Sequence, residues 1–217
     1  MNQAKIRLSS SEMELVKNAD WILTKNGIIQ KVKDLFAALR YLQEETLYES
    51  LEGVMPEEVL ASSCKISAGE QYRGLPWVVL DHPRFFSKTD IMAMRTLFWW
   101  GRTFSVTMHL SGVYKKKYEQ KIIQSYPQLK AASDPAAAGL TASDYFICIN
   151  TTEWEHHFEE DNYKPVSACS AEEWERIICG QSFLKLSKRI PLDAWEGPYN
   201  ITEVLAWHYF SLVKLLE

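Results

Sequence analysis

Helical periodicity near the two ends of the chain, with successive strand-like runs between them, predicts an α+β fold: N-terminal helices plus a mostly antiparallel β-sheet flanked by helices. From Ile28, the apolar residues Val32, Leu35, Phe36, Leu39 and Leu42 recur at spacings of three and four, opposite Lys31, Lys33, Asp34 and Glu44. In the middle, Leu75 to Leu80 is a run of β-forming residues, and Phe104, Val106, Met108 and Leu110 alternate with Ser105, Thr107 and His109. Regular alternation of strand and helix, which a parallel sheet would need, is absent. The 217 residues read as one domain: a helical N-terminal part over residues 1–60, then the sheet with its flanking helices over 61–217.

The elements follow in order. Ser9, Ser10 or Ser11 caps a first helix through Ala19, and Trp21, Ile22 and Leu23 form an apolar hinge before the longer amphipathic helix. Arg73-Gly74 reads as a turn into the strand Leu75 to Leu80, which Asp81-His82-Pro83-Arg84 ends, because Pro cannot continue a central strand. Ser87 followed by Asp90 resembles a capping box and predicts a short helix to Met94 or Arg95. Leu97 to Leu110 is one long strand or a tight pair, with Gly101 at the bend. Tyr114 to Lys130 is helical in composition, with an interruption at Tyr126-Pro127, and Ala131 to Ser143 is a loop of small residues. Asp144 to Asn150 is a buried strand. Thr151 or Thr152 caps a helix carrying Trp154 and Phe158, and Ser170 caps another that stops at Gly180. Ser182 to Ile190 fits strand or helix equally, and Asn200 with Glu203 opens the last helix.

Composition excludes several classes. The chain is 47% hydrophobic and 24% charged, and its N-terminus has no secretory apolar core, so a soluble, cytoplasmic protein without membrane contact is expected. Cys64, Cys148, Cys169 and Cys179 lie far apart, with no CxxC pair, and read as buried free thiols. There is no GxGxxG, no GxxxxGK[ST] and no GxSxG, so no nucleotide cofactor is implied. The net charge of −4 is uneven: residues 65–112 carry 6 basic and 3 acidic side chains, whereas residues 150–180 carry 2 and 8. The basic run Lys115 to Lys117 between Tyr114 and Tyr118 is read as a solvated helix face in an acidic chain, and nucleic acid is not an expected partner.

Residues 65–112 hold the candidate site. Arg73, Asp81, His82, Arg84, Arg95, Arg102 and His109 suit an anion, since guanidinium forks match planar oxyanions and imidazole moves protons near neutral pH. Trp99 and Trp100 are consecutive, so on a strand they face opposite ways and one ring turns away from the core. The reading is a binding or interaction protein holding an anionic or aromatic ligand through Arg73, Arg84, Trp99, Trp100 and Arg102, its partner a small anion or a protein's acidic face. The alternative is an enzyme with His82 or His109 as acid and base, Asp81 orienting it, and Arg84 or Arg102 on an oxyanion. Glu153, His157 and Asp161 would line one side of a helix and could offer metal ligands, but the run reads first as a solvated acidic face and no metal is expected.

Overall fold

The computed structural model describes residues 6–50, 54–133 and 144–217, and the side chains of all of these except 46–50. Helix α1 (Ser10–Lys17) begins with a reciprocal capping box, in which Ser9 Oγ accepts from the Glu12 amide and the Glu12 carboxylate accepts from the Ser9 amide. Helix α2 (Ala19–Ser50) starts earlier than the periodicity suggests. Asn18 Oδ1 accepts from the Trp21 amide at 3.2 Å, so the expected hinge is already helix, and Gly27 lies in open space where its lack of a side chain costs no packing. Its inward stripe of Val32, Phe36 and Leu39 is fully buried. A short α3 (Glu57–Leu60) leads into the sheet.

β1 (Lys65–Tyr72) and β2 (Leu75–Phe86) form a hairpin through Arg73 and Gly74, both at positive φ. β2 does not end at Pro83. Asp81 pairs with Arg95 and Arg84 with Ala93, so His82 and Pro83 together occupy a bulge, where the missing proline N–H interrupts no ladder. The expected helix at Ser87 is a turn: Ser87 Oγ accepts from the Thr89 and Asp90 amides, and the chain returns as β3 (Ile91–Trp99). A tight turn at Trp100 to Arg102 then gives β4 (Thr103–Ser111).

α4 (Gly112–Gln124) follows immediately, because Gly112 at φ 57° turns the chain sharply. A methyl group there would run into the Asp90 carboxylate and the Thr89 carbonyl. Gly112→Ala is therefore expected to cost more than about 2 kcal/mol, from the left-handed backbone and the clash together. A shift in urea midpoint worth less than 1 kcal/mol would show that the turn relaxes.

α5 (Tyr126–Ala132) is separated from α4 at Ser125, with Pro127 in its first turn, as the sequence predicted. The predicted small-residue loop lies mostly outside the described residues, at 134–143. β5 (Tyr145–Cys148) is buried throughout. The expected helix carrying Trp154 and Phe158 does not form; residues 149–162 are an irregular strap that ends at β6 (Tyr163–Pro165). α6 (Ala171–Gly180) is capped by Ser170 as expected. Ser182 to Ile190 resolves as strand β7 (Phe183–Ile190), and α7 (Ile201–Val213) is capped by Asn200, which accepts from the Thr202 amide.

The strands form one open antiparallel sheet in the order β1-β2-β3-β4-β7-β5-β6. One face carries Val78, Leu80, Met94, Phe104, Val106, Met108, Leu184 and Leu186 into a continuous core with α2, α4, α6 and α7. The helical N-terminal part thus shares its core with the sheet. Cys148 and Cys169 are buried free thiols, Cys64 is half-buried and Cys179 is exposed. Among the described residues no helix is long and apolar enough to cross a membrane.

Candidate functional site

Strand alternation places a different set of residues on the second face: Lys65, Ser67 and Gly69 from β1; Trp77, Val79 and Asp81 from β2; Arg95, Leu97 and Trp99 from β3. Strict alternation would put Arg84 in the helical core. The bulge at His82-Pro83 shifts the parity by one, so Arg84 and Phe86 return to the second face beside Asp81.

The strap covers the far half of this face and is tied down by side chains. Tyr72 donates its hydroxyl to Glu155 Oε2 at 2.9 Å and accepts from the His156 and His157 amides at 2.7 and 3.1 Å. Arg73 donates to Glu159 at 2.9 Å. His109 Nε2 lies 3.0 Å from Glu153 Oε2. Lys185 Nζ donates to the carbonyls of Glu153 and Glu155 at 2.9 and 2.6 Å. Burial pushes the Lys185 ammonium down to about 8 and holds His109 below the usual imidazole range, while the hydrogen bond from His109 lowers Glu153. Neutral imidazole therefore donates to ionised carboxylate. Among these contacts only Arg73 brings a charge from the basic middle, and Glu159 of the acidic segment neutralises it.

The near half stays open as a groove of about 670 Å³ across β1, β2 and β3. Trp154 and His156 of the strap wall one side, Tyr72 and Trp77 close one end, and Lys65, Arg84 and Phe86 line the other. Three of its charged groups, Arg95, Asp81 and Glu70, are already matched. Arg95 grips Asp81 with two hydrogen bonds of 2.7 and 2.9 Å and donates to His156 Nε2 at 3.0 Å. Because guanidinium can only donate, His156 carries its proton on Nδ1; burial keeps its pKa well below the ordinary value, so it is neutral. Glu70 pairs with Lys25 at 2.6 Å.

Arg84 is different. Its backbone N–H donates to Ser62 Oγ and its guanidinium lies 5.7 Å from the Phe86 ring centre, but its buried Nε has no hydrogen-bond partner. Among the described residues no carboxylate reaches it or Lys65. A buried donor without an acceptor is costly, and a guanidinium is a residue type suited to planar oxyanions.

The groove brings together only part of the predicted set. Asp81, Arg84 and Arg95 line it. Arg73 lies beyond its aromatic end, paired with the strap, and Arg102 sits 5.6 Å over the Trp99 ring. Trp99 does face away from the helical core, but Tyr72 covers it at 5.0 Å between ring centres; Trp100 packs back toward that core against Phe98. The groove's indoles are instead Trp77 and Trp154.

The acid–base constellation does not converge. His82 is on the helical side, 3.2 Å from Gln43 Oε1, whereas Asp81 faces the groove and His109 lies under the strap. The proposed metal ligands are likewise divided, because the helix that would align them is absent. Glu153 is taken by His109, while His157 and Asp161 approach Glu159, which Arg73 already occupies. Trp77 could have been found by extending the strand alternation back from Asp81, whereas Lys65 reaches the same face through the register of the β1–β2 hairpin. Trp154 and His156 carry no local signal, since an irregular loop positions them. No protein-family model, no curated protein and no solved structure matches this chain.

Proposed function

We propose that this chain is a binding protein whose groove across β1 to β3 receives an anionic ligand, with the anion at Arg84 and Lys65 and an apolar body along Val79 and Leu97 toward Trp77 and Tyr72. The unpartnered Arg84 guanidinium carries this reading, turned onto the open face by the bulge and walled by aromatic rings. Arg95 and Asp81 serve as a rigid, self-neutralised floor that leaves the field of Arg84 and Lys65 uncancelled. The site combines apolar walls with a few polar groups at one end, the usual make-up of a small-ligand pocket.

Saturation-transfer NMR with 4-phenylbutanoate and indole-3-propanoate tests it. Both should receive saturation from the wild type, and Arg84→Gln should weaken binding about tenfold, the loss of one charge-assisted contact. Their amides should bind no better to wild type than the acids bind to the variant. Equal binding of acid and amide by wild type would overturn the proposal.

A further inference from the structure

β1 is an edge of the sheet. It pairs with β2 on one side only, and among the described residues none of its main-chain groups bonds anything beyond that partner. Lys65, Ala68, Glu70 and Gln71 are exposed along it. Such an edge is a template for another extended chain unless something blocks it; β1 has no proline, among the described residues no other strand pairs with its outer side, and its register with β2 is regular from Lys65 to Gly69, shifting only between Gly69 and Tyr72.

Charge on the two sides of this edge is one-signed once internal pairs are removed. On the groove side Arg95 is matched by Asp81, leaving Lys65 and Arg84. On the helical side a second depression, of about 390 Å³, lies between β1 and α2 and is lined by Ile29, Lys33, Ala68 and Glu70. There Glu70 is matched by Lys25, and Lys33 has no ion pair among the described residues. Among the described residues lining the two depressions, Lys65, Arg84 and Lys33 are therefore cations without an ion pair, and no carboxylate is left unpaired.

We infer that the ligand of this groove is an acidic, extended segment of a partner protein that adds to the sheet beside β1, directing alternate side chains into the groove and into the depression beside α2. This rests on the anion-binding reading of the groove and names its ligand class. Main-chain pairing with β1 supplies the affinity and the side pockets supply the selection. An added strand sends residues i, i+2 and i+4 over the groove, a reach of about 13 Å. The charged end at Lys65 and Arg84 takes a carboxylate, and the far end at Trp77 and Tyr72 takes an aromatic or aliphatic side chain. The intervening residues face Lys33 and favour a second carboxylate.

The probe is the acetylated, amidated peptide Thr-Glu-Thr-Val-Glu-Phe-Thr, titrated into the full chain by calorimetry, with amide hydrogen exchange read on β1. Binding should slow exchange along β1, and Arg84→Gln or Lys65→Gln should each weaken it about tenfold. Two N-methylated versions, methylated at odd or at even positions, separate pairing from side-chain contact. One should lose binding by more than about thirtyfold and the other should retain it, because only alternate amides face β1. Equal binding by both versions overturns strand addition while leaving the anion groove standing. A silent peptide alongside bound aromatic carboxylates overturns only this inference, and silence from both overturns the groove reading as well.

Discussion

Replacing Asp81 by alanine is expected to cost about 3 kcal/mol of folding stability, far more than an exposed ion pair contributes. The Asp81 side chain is 9% exposed and that of Arg95 is 18% exposed, and the pair is bidentate across neighbouring strands. Removing the carboxylate leaves a guanidinium at the sheet's centre with only neutral His156 as an acceptor. The cost is the stranded charge, not the lost attraction. The double variant Asp81→Leu, Arg95→Met should recover most of the loss, since two apolar side chains need no partners there. Urea midpoints for Asp81→Leu, Arg95→Met and the double variant close the cycle. Additive losses would show that solvent reaches the pair and that the groove floor is not a self-neutralised unit.

The second large effect is a stability that falls steeply in mild acid. His82, His109, His156 and His208 are all held below the ordinary imidazole range by burial, and His208, beside the Lys188 ammonium, is pushed down to about 3. Their folded pKa values are depressed, so below pH 6.5 the unfolded chain takes up protons that the folded chain refuses. Stability is then full above 6.5 and is lost as the pH falls. Each histidine that stays neutral down to pH 5 contributes a loss of about 2 kcal/mol over that interval.

The alkaline side runs the other way at first. Lys185 and Lys188, both pushed down to about 8, release protons before their unfolded counterparts do, so stability should rise between pH 8 and 10. Above 10 the tyrosines reverse the trend. Tyr72 and Tyr114 are pushed up to about 12 by burial, and the unfolded chain ionises them first. Urea midpoints at pH 5, 7 and 9 should increase in that order, and His208→Gln should flatten the acid limb. A profile level between 5 and 7 would mean that these imidazoles keep ordinary affinities for protons.

Much of the fold is visible in local pattern because local physics decides it. Val32, Phe36 and Leu39 sit on one helical stripe, and Ser9, Ser170 and Asn200 cap their helices where side-chain acceptors meet free amides. The alternation from Phe104 to Leu110 is a strand with a core on one side. Ser87 and Asp90 misled because a capping pattern and a serine turn use the same hydrogen bonds; the strand that follows decides which one forms. The strap misled because Trp154 and Phe158 at helical spacing are held by the sheet and the strap's own return. Trp154 packs edge-on to His109, and Phe158 stacks on Tyr163.

Residue order alone was enough to establish an α+β chain with a basic, aromatic centre and no nucleotide motif. Its charge imbalance between residues 65–112 and 150–180 is equally plain there. Which of those charges remain unspent is a matter of distance between segments remote in sequence. Arg73 and Arg95 are consumed by the strap and by Asp81, whereas Arg84 is left with a bare donor because one bulge reverses the side on which it emerges. Spacing along a chain fixes the direction of a side chain only while the register is regular, and pairing across the sheet decides where that regularity breaks.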